Sequence, residues 1–325
     1  MGRRWFLSGA CGAVAVLVGC GGGGPDAPLE RVLAPTTTTA PPTTTAPTVT
    51  TTAPPVPVAL APVLAGQAPV AAGDPAGLAD QIVTSERVVR DPASAPELID
   101  AAGRVGQVAY RRLSDVPEWD GAVLALVPAE LLPAATNNIN ARREFRAMHT
   151  RLSDTLPAWR IVEPVSADEL LGYYREAEAR FGVTWNVLAA VNLVETGMGR
   201  IVGLSTSGAQ GPMQFMPATW GAYGLGGDVN SPRDAILGAA NYLAANGAAA
   251  GQVENALFHY NRDRHYVTGV LNYASVLQGD PRTFYGFHAW EVIYTSVAGD
   301  IVLPVGYEAA TPIPVTDWLA SHPPS

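Results

Sequence analysis

One segment, TWNVLAAVNLVETGMG from Thr184 to Gly199, leaves the chain little choice of architecture. Trp185, Leu188, Val191, Asn192 and Glu195 recur on one helical face, and Val187, Ala190 and Val194 make the remaining surface apolar as well. A helix apolar almost all round must be enclosed by other elements, so the chain has to build a helical core around it. Gly197 and Gly199 then end it, which puts Glu195 in the last turn. Desolvation and the negative end of the helix dipole both oppose ionisation there. Together they move a carboxyl from about 4.3 toward about 6, the range a general acid needs near neutrality. On the residues alone, snorkelling or a pairing of Glu195 with Arg200 remains the alternative.

The flanking sequence supplies the enclosing helices. Ser166 and Glu169 form a capping box, Leu170, Tyr174, Ala177 and Phe181 make a stripe, and Gly182 stops it. Thr184 is placed to cap the next helix. Ser231, Pro232 and Asp234 open another that closes at Gly247, and Asp263 caps a last one ending at Gly279. After it, Trp290, Val292 and Tyr294 alternate, Gly299 and Asp300 turn, and Ile301 to Val305 return, a short C-terminal β-hairpin. Helical periodicity also runs from Asp74 to about Asp154, with Leu78, Ile82, Leu98, Val105, Val108, Leu124 and Leu126 at apolar positions. Arg142, Arg143, Arg146 and Arg151 fall in that stretch and read as a solvated helix face, with binding of an anionic polymer as the alternative. The fold class expected is mainly α.

Upstream, Arg3 and Arg4 precede an apolar run from Trp5 to Val18 that is too short to span a bilayer, the pattern of a signal peptide. Leu17, Val18, Gly19 and Cys20 follow the order of a bacterial lipobox, so Cys20 is the expected lipidation site and membrane anchor. The arginine pair leaves open whether export follows the general or the twin-arginine route. Threonine- and proline-rich strings such as TTTTAPPTTTAP then form a disordered stalk. At about 3.1 Å per residue such a stalk reaches on the order of 120 Å. Cys11 would leave with the signal and Cys20 would carry lipid, so no disulfide is expected and stability must come from the core. The net charge is -9 and every basic residue is arginine, with no lysine-rich stripe, which argues against nucleic acid as a partner.

Glu195 is followed by Thr196, then by the string GLSTSGAQGPMQFMPATW with Gly211, Met213, Gln214, Met216 and Pro217, and later by ALFHYN with Tyr260 and Asn261. This order of motifs resembles the soluble lytic transglycosylase (SLT) domain family. The likeness covers about residues 165 to 280 and implies a lysozyme-like helical catalytic domain. It also implies that Glu195 protonates the bond between N-acetylmuramic acid and N-acetylglucosamine, then draws the muramic C6 hydroxyl onto C1 to give a 1,6-anhydro sugar. Stabilisation would come from the substrate's own acetamido group, not a second carboxylate. Ser205 or Ser207 would bond that acetamido group and Gln214 would bond the sugar. Met213 and Met216 would shape an apolar floor with Phe215 beside them, and Tyr260 and Asn261 would sit opposite, Tyr260 orienting Glu195. Two departures stand out: His259, Arg262 and Asp263 flank the Tyr-Asn pair, and the serine loop is one residue longer.

The expected organisation is therefore a signal peptide over 1–19, a stalk over 20–66, a helical accessory region over 67–160, an SLT-like domain over 161–280, and a hairpin and tail over 281–325. The expected partners are peptidoglycan glycan strands and, through the lipid, the extracytoplasmic face of the membrane. No cofactor or metal is expected: His259 and His265 with Asp263 lack the spacing of a metal site. Two other readings are a goose-type lysozyme that hydrolyses the same bond and a non-catalytic wall-binding lipoprotein.

Overall fold

The computed structural model describes residues 56–148 and 151–322. The signal peptide, Cys20 and most of the stalk lie outside these residues. The described chain is mainly helical, as expected. Its first helices are α1 (Ala61–Leu64), α2 (Pro75–Arg90), α3 (Pro96–Asp115), α4 (Asp120–Leu124) and α5 (Leu132–Met148). Two short strands follow, β1 (Thr155–Leu156) and β2 (Arg160–Ile161), and then α6 (Ala167–Phe181) and α7 (Trp185–Thr196). Beyond β3 (Ile201–Val202) come α8 (Pro217–Tyr223), α9 (Pro232–Ala245), α10 (Val253–Tyr260), α11 (Arg264–Gly279) and α12 (Thr283–His288). The chain closes with β4 (Val292–Ser296), β5 (Gly299–Leu303), β6 (Ile313–Pro314) and α13 (Val315–Ser321).

The capping chemistry largely acts as its residues imply. Ser166 Oγ accepts from the Glu169 amide, Ser231 Oγ from that of Asp234, and Asp263 Oδ1 from that of His265. Thr184 occupies the N-cap position of α7, but its side chain makes no capping bond. Helix α7 is the central member: Leu188, Ala189, Ala190 and Val191 are fully buried, enclosed by α6, α9 and α11. The hairpin is present as β4 and β5, with Ser296 opposite Gly299, so Val297 and Ala298 form its tip and Gly299 and Asp300 already belong to the returning strand.

Three features differ from the sequence reading. The accessory region is not a separate layer: α5 makes its most extensive packing with α11, and Ala134 and Ala141 share one core with Leu188, Met213 and Tyr273. Residues 58–64, placed in the stalk by composition, are helical, and Leu60 and Val63 are buried against Val89, Ile99 and Val105. Proline and threonine content masked those two apolar anchors. The tail is more than a hairpin, because β6 pairs with β1 and Val315 joins Leu156, Ile161, Ile301 and Leu303 in a small separate core.

The join between α3 and α12 depends on a residue without a side chain. A Cβ on Gly103 would collide with the carbonyl oxygen of Gly286 and stand 2.8 Å from Ala289 Cβ. Backbone cannot yield there as a flexible side chain can. We expect Gly103→Ala to lower stability by about 2 kcal/mol, read as a shifted urea midpoint with an unchanged slope. An unaltered midpoint would mean that the two helices do not pack this closely in solution.

Candidate active site

The end of α7 is pinned from several directions. Gly197 adopts a left-handed conformation at φ 59°, its amide bonds to the Leu193 carbonyl, and the Met198 amide reaches the Asn192 carbonyl. Thr196 Oγ1 and Asn192 Nδ2 both donate to the carbonyl of Pro212, at 2.6 and 2.8 Å. Tyr174 donates to Asn192 Oδ1 at 2.6 Å. The threonine after Glu195 is therefore a clasp that ties the helix end to the turn carrying Met213 and Gln214.

Glu195 stands at this pinned end, with part of its side chain open to a cavity of about 470 Å³, within the range of small-ligand sites. Burial pushes its carboxyl up to about 7, while a 2.6 Å hydrogen bond donated by the Tyr266 hydroxyl works in the opposite direction. Tyr260 and Tyr266 are themselves pushed well above the ordinary phenol value, first by burial and then by the charge of Glu195. Both therefore stay protonated as donors. The group facing Glu195 is thus Tyr266 on α11, which the motif comparison did not single out. Tyr260 instead donates to the Met213 carbonyl at 2.5 Å and braces the same turn as Thr196.

Of the residues expected to meet substrate, Glu195 and Asn261 line this cavity, whereas Ser205, Ser207, Met213, Gln214, Phe215 and Tyr260 do not. Met213 and Phe215 are 0% and 3% exposed and pack in the main core, so neither has surface to offer a sugar. Gln214 sits at φ 47° and spends its Nε2 on the Gly211 carbonyl at 2.9 Å. Gly211, at φ 74°, leaves no room for a Cβ, which would strike the Val229 carbonyl oxygen. Ser205 Oγ accepts from the amides of Ser207 and Ala209, which leaves its own proton as the group free to donate outward. Ser207 is exposed. The motif between Gly211 and Met216 thus shapes a turn, and its residues act through backbone position.

The remaining walls come from segments that the sequence reading kept apart. Arg111 of α3, Arg142 and Arg146 of α5, Arg151, and Tyr294 and Thr295 of β4 all contribute to the lining. Trp159 joins them and donates its indole N–H to the Leu204 carbonyl at 3.2 Å, linking the cavity rim to the serine loop. Glu291 is the second carboxylate in the lining and is paired with Arg104 at 3.1 Å. The arginines are not one solvated helix face: Arg143 binds Asp120 at 2.7 Å, Arg142 is half-buried toward the cavity, and Arg151 lies beyond α5. His265 is paired with Glu144 at 2.7 Å, and His259 Nδ1 lies 2.9 Å from the Asn255 carbonyl oxygen.

Comparison with known proteins agrees with the helical architecture. Residues 172–275, which include α7, match the Transglycosylase SLT domain, a mainly helical, lysozyme-like domain. It is also similar to the membrane-bound lytic murein transglycosylase F of Thiobacillus denitrificans, with 28% identity over 128 residues. That match covers 37% of this chain and 27% of the relative, so the chain spans little more than a quarter of that protein's length. No solved structure matches.

A carboxyl with a folded pKa near 7 and an ordinary value of 4.5 has a stability consequence of definite sign. Below 4.5 both folded and unfolded forms hold the proton and nothing is lost. As pH rises through 7 the unfolded chain gains more from ionising, so this group costs the fold at most about 3 kcal/mol. Glu195→Gln should therefore be more stable than the unaltered chain at pH 8 and equal to it at pH 4, by thermal or urea unfolding. A difference independent of pH would contradict the raised pKa.

Proposed function

We propose that this SLT-domain chain is a peptidoglycan lytic transglycosylase in which Glu195 serves first as general acid and then as general base. The observation that carries the reading is the carboxyl of Glu195, raised to about 7 by burial, open to a cavity and held by a phenol that remains protonated. Such a group holds its proton at neutral pH and still gives it up readily, the balance that acid catalysis requires.

In the proposed reaction Glu195 gives its proton to the oxygen linking N-acetylmuramic acid to N-acetylglucosamine. The C1–O bond breaks and the departing sugar leaves as an alcohol. The carboxylate then takes the proton of the muramic C6 hydroxyl as its oxygen bonds to C1, closing the 1,6-anhydro ring and restoring the acid. No water is consumed. Tyr266 fits both halves, since its hydroxyl steadies the carboxylate after the first transfer without draining the acid of its proton beforehand. Asn261 offers an amide to the bound sugar from the same cavity. Ser205, with a proton free to donate, is the proposed partner of the substrate acetamido carbonyl, and Ser207 supports its loop through the amide bonded to Ser205 Oγ.

Two experiments test this reading. Glu195→Gln should lower digestion of purified wall by at least about a hundredfold, and mass spectrometry of products from the unaltered chain should show muropeptides one water lighter than hydrolysis products. Equal digestion by both chains would remove Glu195 from the chemistry, while products of full hydrolytic mass would favour a lysozyme. We further propose that Cys20 is lipidated and that the threonine- and proline-rich stretch holds the domain away from the extracytoplasmic face of the cell membrane. On this reading Cys20→Ala should move the protein from the membrane fraction to the soluble fraction of the cell, and an unchanged distribution would contradict the anchor.

A further inference from the structure

Two donors in the cavity wall, Arg142 and Tyr273, have no carboxylate or carbonyl acceptor among the described residues. Arg142 forms no ion pair, and its Nε is closed off from solvent without a hydrogen-bond acceptor. Across from it on α11, Tyr273 is 2% exposed, and its hydroxyl proton has no acceptor. Burial pushes the Tyr273 phenol up, while the charge of Arg142, a side-chain hydrogen bond from the same guanidinium and the charge of Arg111 act against that shift, so Arg142 and the Tyr273 oxygen lie within reach of each other. Buried donors without acceptors are uncommon, because each loses its hydration and receives nothing in exchange.

The neighbouring charges are already committed. Arg111 donates its Nε to Asp300 at 2.6 Å and an amino group to Thr295 at 3.1 Å, and Arg146 pairs with Asp115 at 2.8 Å. Glu291 is held by Arg104. Arg142 therefore places a positive charge without an acidic partner in the wall of a cavity shared with Glu195, beside a phenol whose proton has no acceptor. A guanidinium fork with an adjacent hydroxyl suits a planar oxyanion such as a carboxylate. N-acetylmuramic acid differs from N-acetylglucosamine in carrying a lactyl ether that ends in a carboxyl group, either free or extended by a peptide with carboxylates of its own.

We propose that Arg142 and Tyr273 form a carboxylate subsite that selects the acid-bearing sugar beside the bond facing Glu195. The proposal rests on the reading of the cavity as a glycan site. It assigns α5, which lies outside the matched domain at residues 172–275, a part in substrate choice.

Binding can be separated from cleavage with the full chain carrying Glu195→Gln. Calorimetry would compare a tetrasaccharide of alternating N-acetylglucosamine and N-acetylmuramic acid with free lactyl carboxylates, the same glycan bearing stem peptides, and a tetrasaccharide of N-acetylglucosamine alone. The acidic ligands should bind at least about tenfold more tightly than the uncharged one, and the added change Arg142→Gln should erase that preference. Preference for both acidic ligands places the free lactyl group in the subsite, and preference for the peptide-bearing glycan alone places a stem carboxylate there. Tyr273→Phe, which keeps the ring, should reduce the preference severalfold, and Arg142→Lys should retain only part of it. These two variants carry the test if Arg142→Gln does not fold, and an undiminished preference in both would overturn the subsite. Equal binding of all three saccharides sinks the subsite alone, whereas binding of none sinks the glycan reading with it.

Discussion

Everything at the site depends on enclosing the carboxyl-bearing end of a helix that has no polar face. Burying α7 on all sides brings its last turn, and Glu195 with it, into a medium that resists charge. The enclosure is completed by short bonds that converge on the helix end. Thr196 and Asn192 hold the Pro212 carbonyl and Tyr260 holds that of Met213. These bonds fix the turn from Gly211 to Gln214 against α7 and leave the carboxyl one open side. The same burial that favours a proton on Glu195 therefore also determines which direction the proton can leave.

Much of this was legible from residue type and spacing. The all-round apolar stretch from Trp185 to Val194 announced a core helix, and the glycines after it announced its end. Ser166, Ser231 and Asp263 marked three helix starts correctly because an N-cap is a local interaction between neighbours in sequence. The raised pKa of Glu195 was legible for the same reason, since its cause is the burial of its own helix.

What was not legible depends on contacts distant in sequence. Tyr266 lies 71 residues from Glu195, and no local pattern joins them. A weaker signal existed: Tyr266, Val270, Tyr273 and Leu277 share one face of α11, and two phenols on a buried stripe imply two polar tips in need of partners. The motif suggests a place in the groove for Met213 and Phe215 because it touches the site, but these two side chains point into the core and contribute through the backbone they anchor. Arg142 could not be told from a surface arginine, because periodicity along α5 does not show which side of that helix meets α11.

The arginine wall raises an electrostatic question, since a guanidinium close to Glu195 would favour the ionised carboxylate and discharge the acid. The causes acting on Glu195 are burial and the Tyr266 hydrogen bond, with no contribution from an arginine. Arg111 is instead compensated by Asp300, whose carboxyl the arginine holds down against the opposing effect of burial. The cavity lining thus includes arginine charge and a neutral acid, with no arginine acting on that acid. An anionic group bound at Arg142 would oppose a second negative charge nearby and so leave the proton on Glu195 in place. On the proposed reading, recognition of an acidic substrate and storage of a proton are compatible within one cavity because α5 supplies the first and α7 the second.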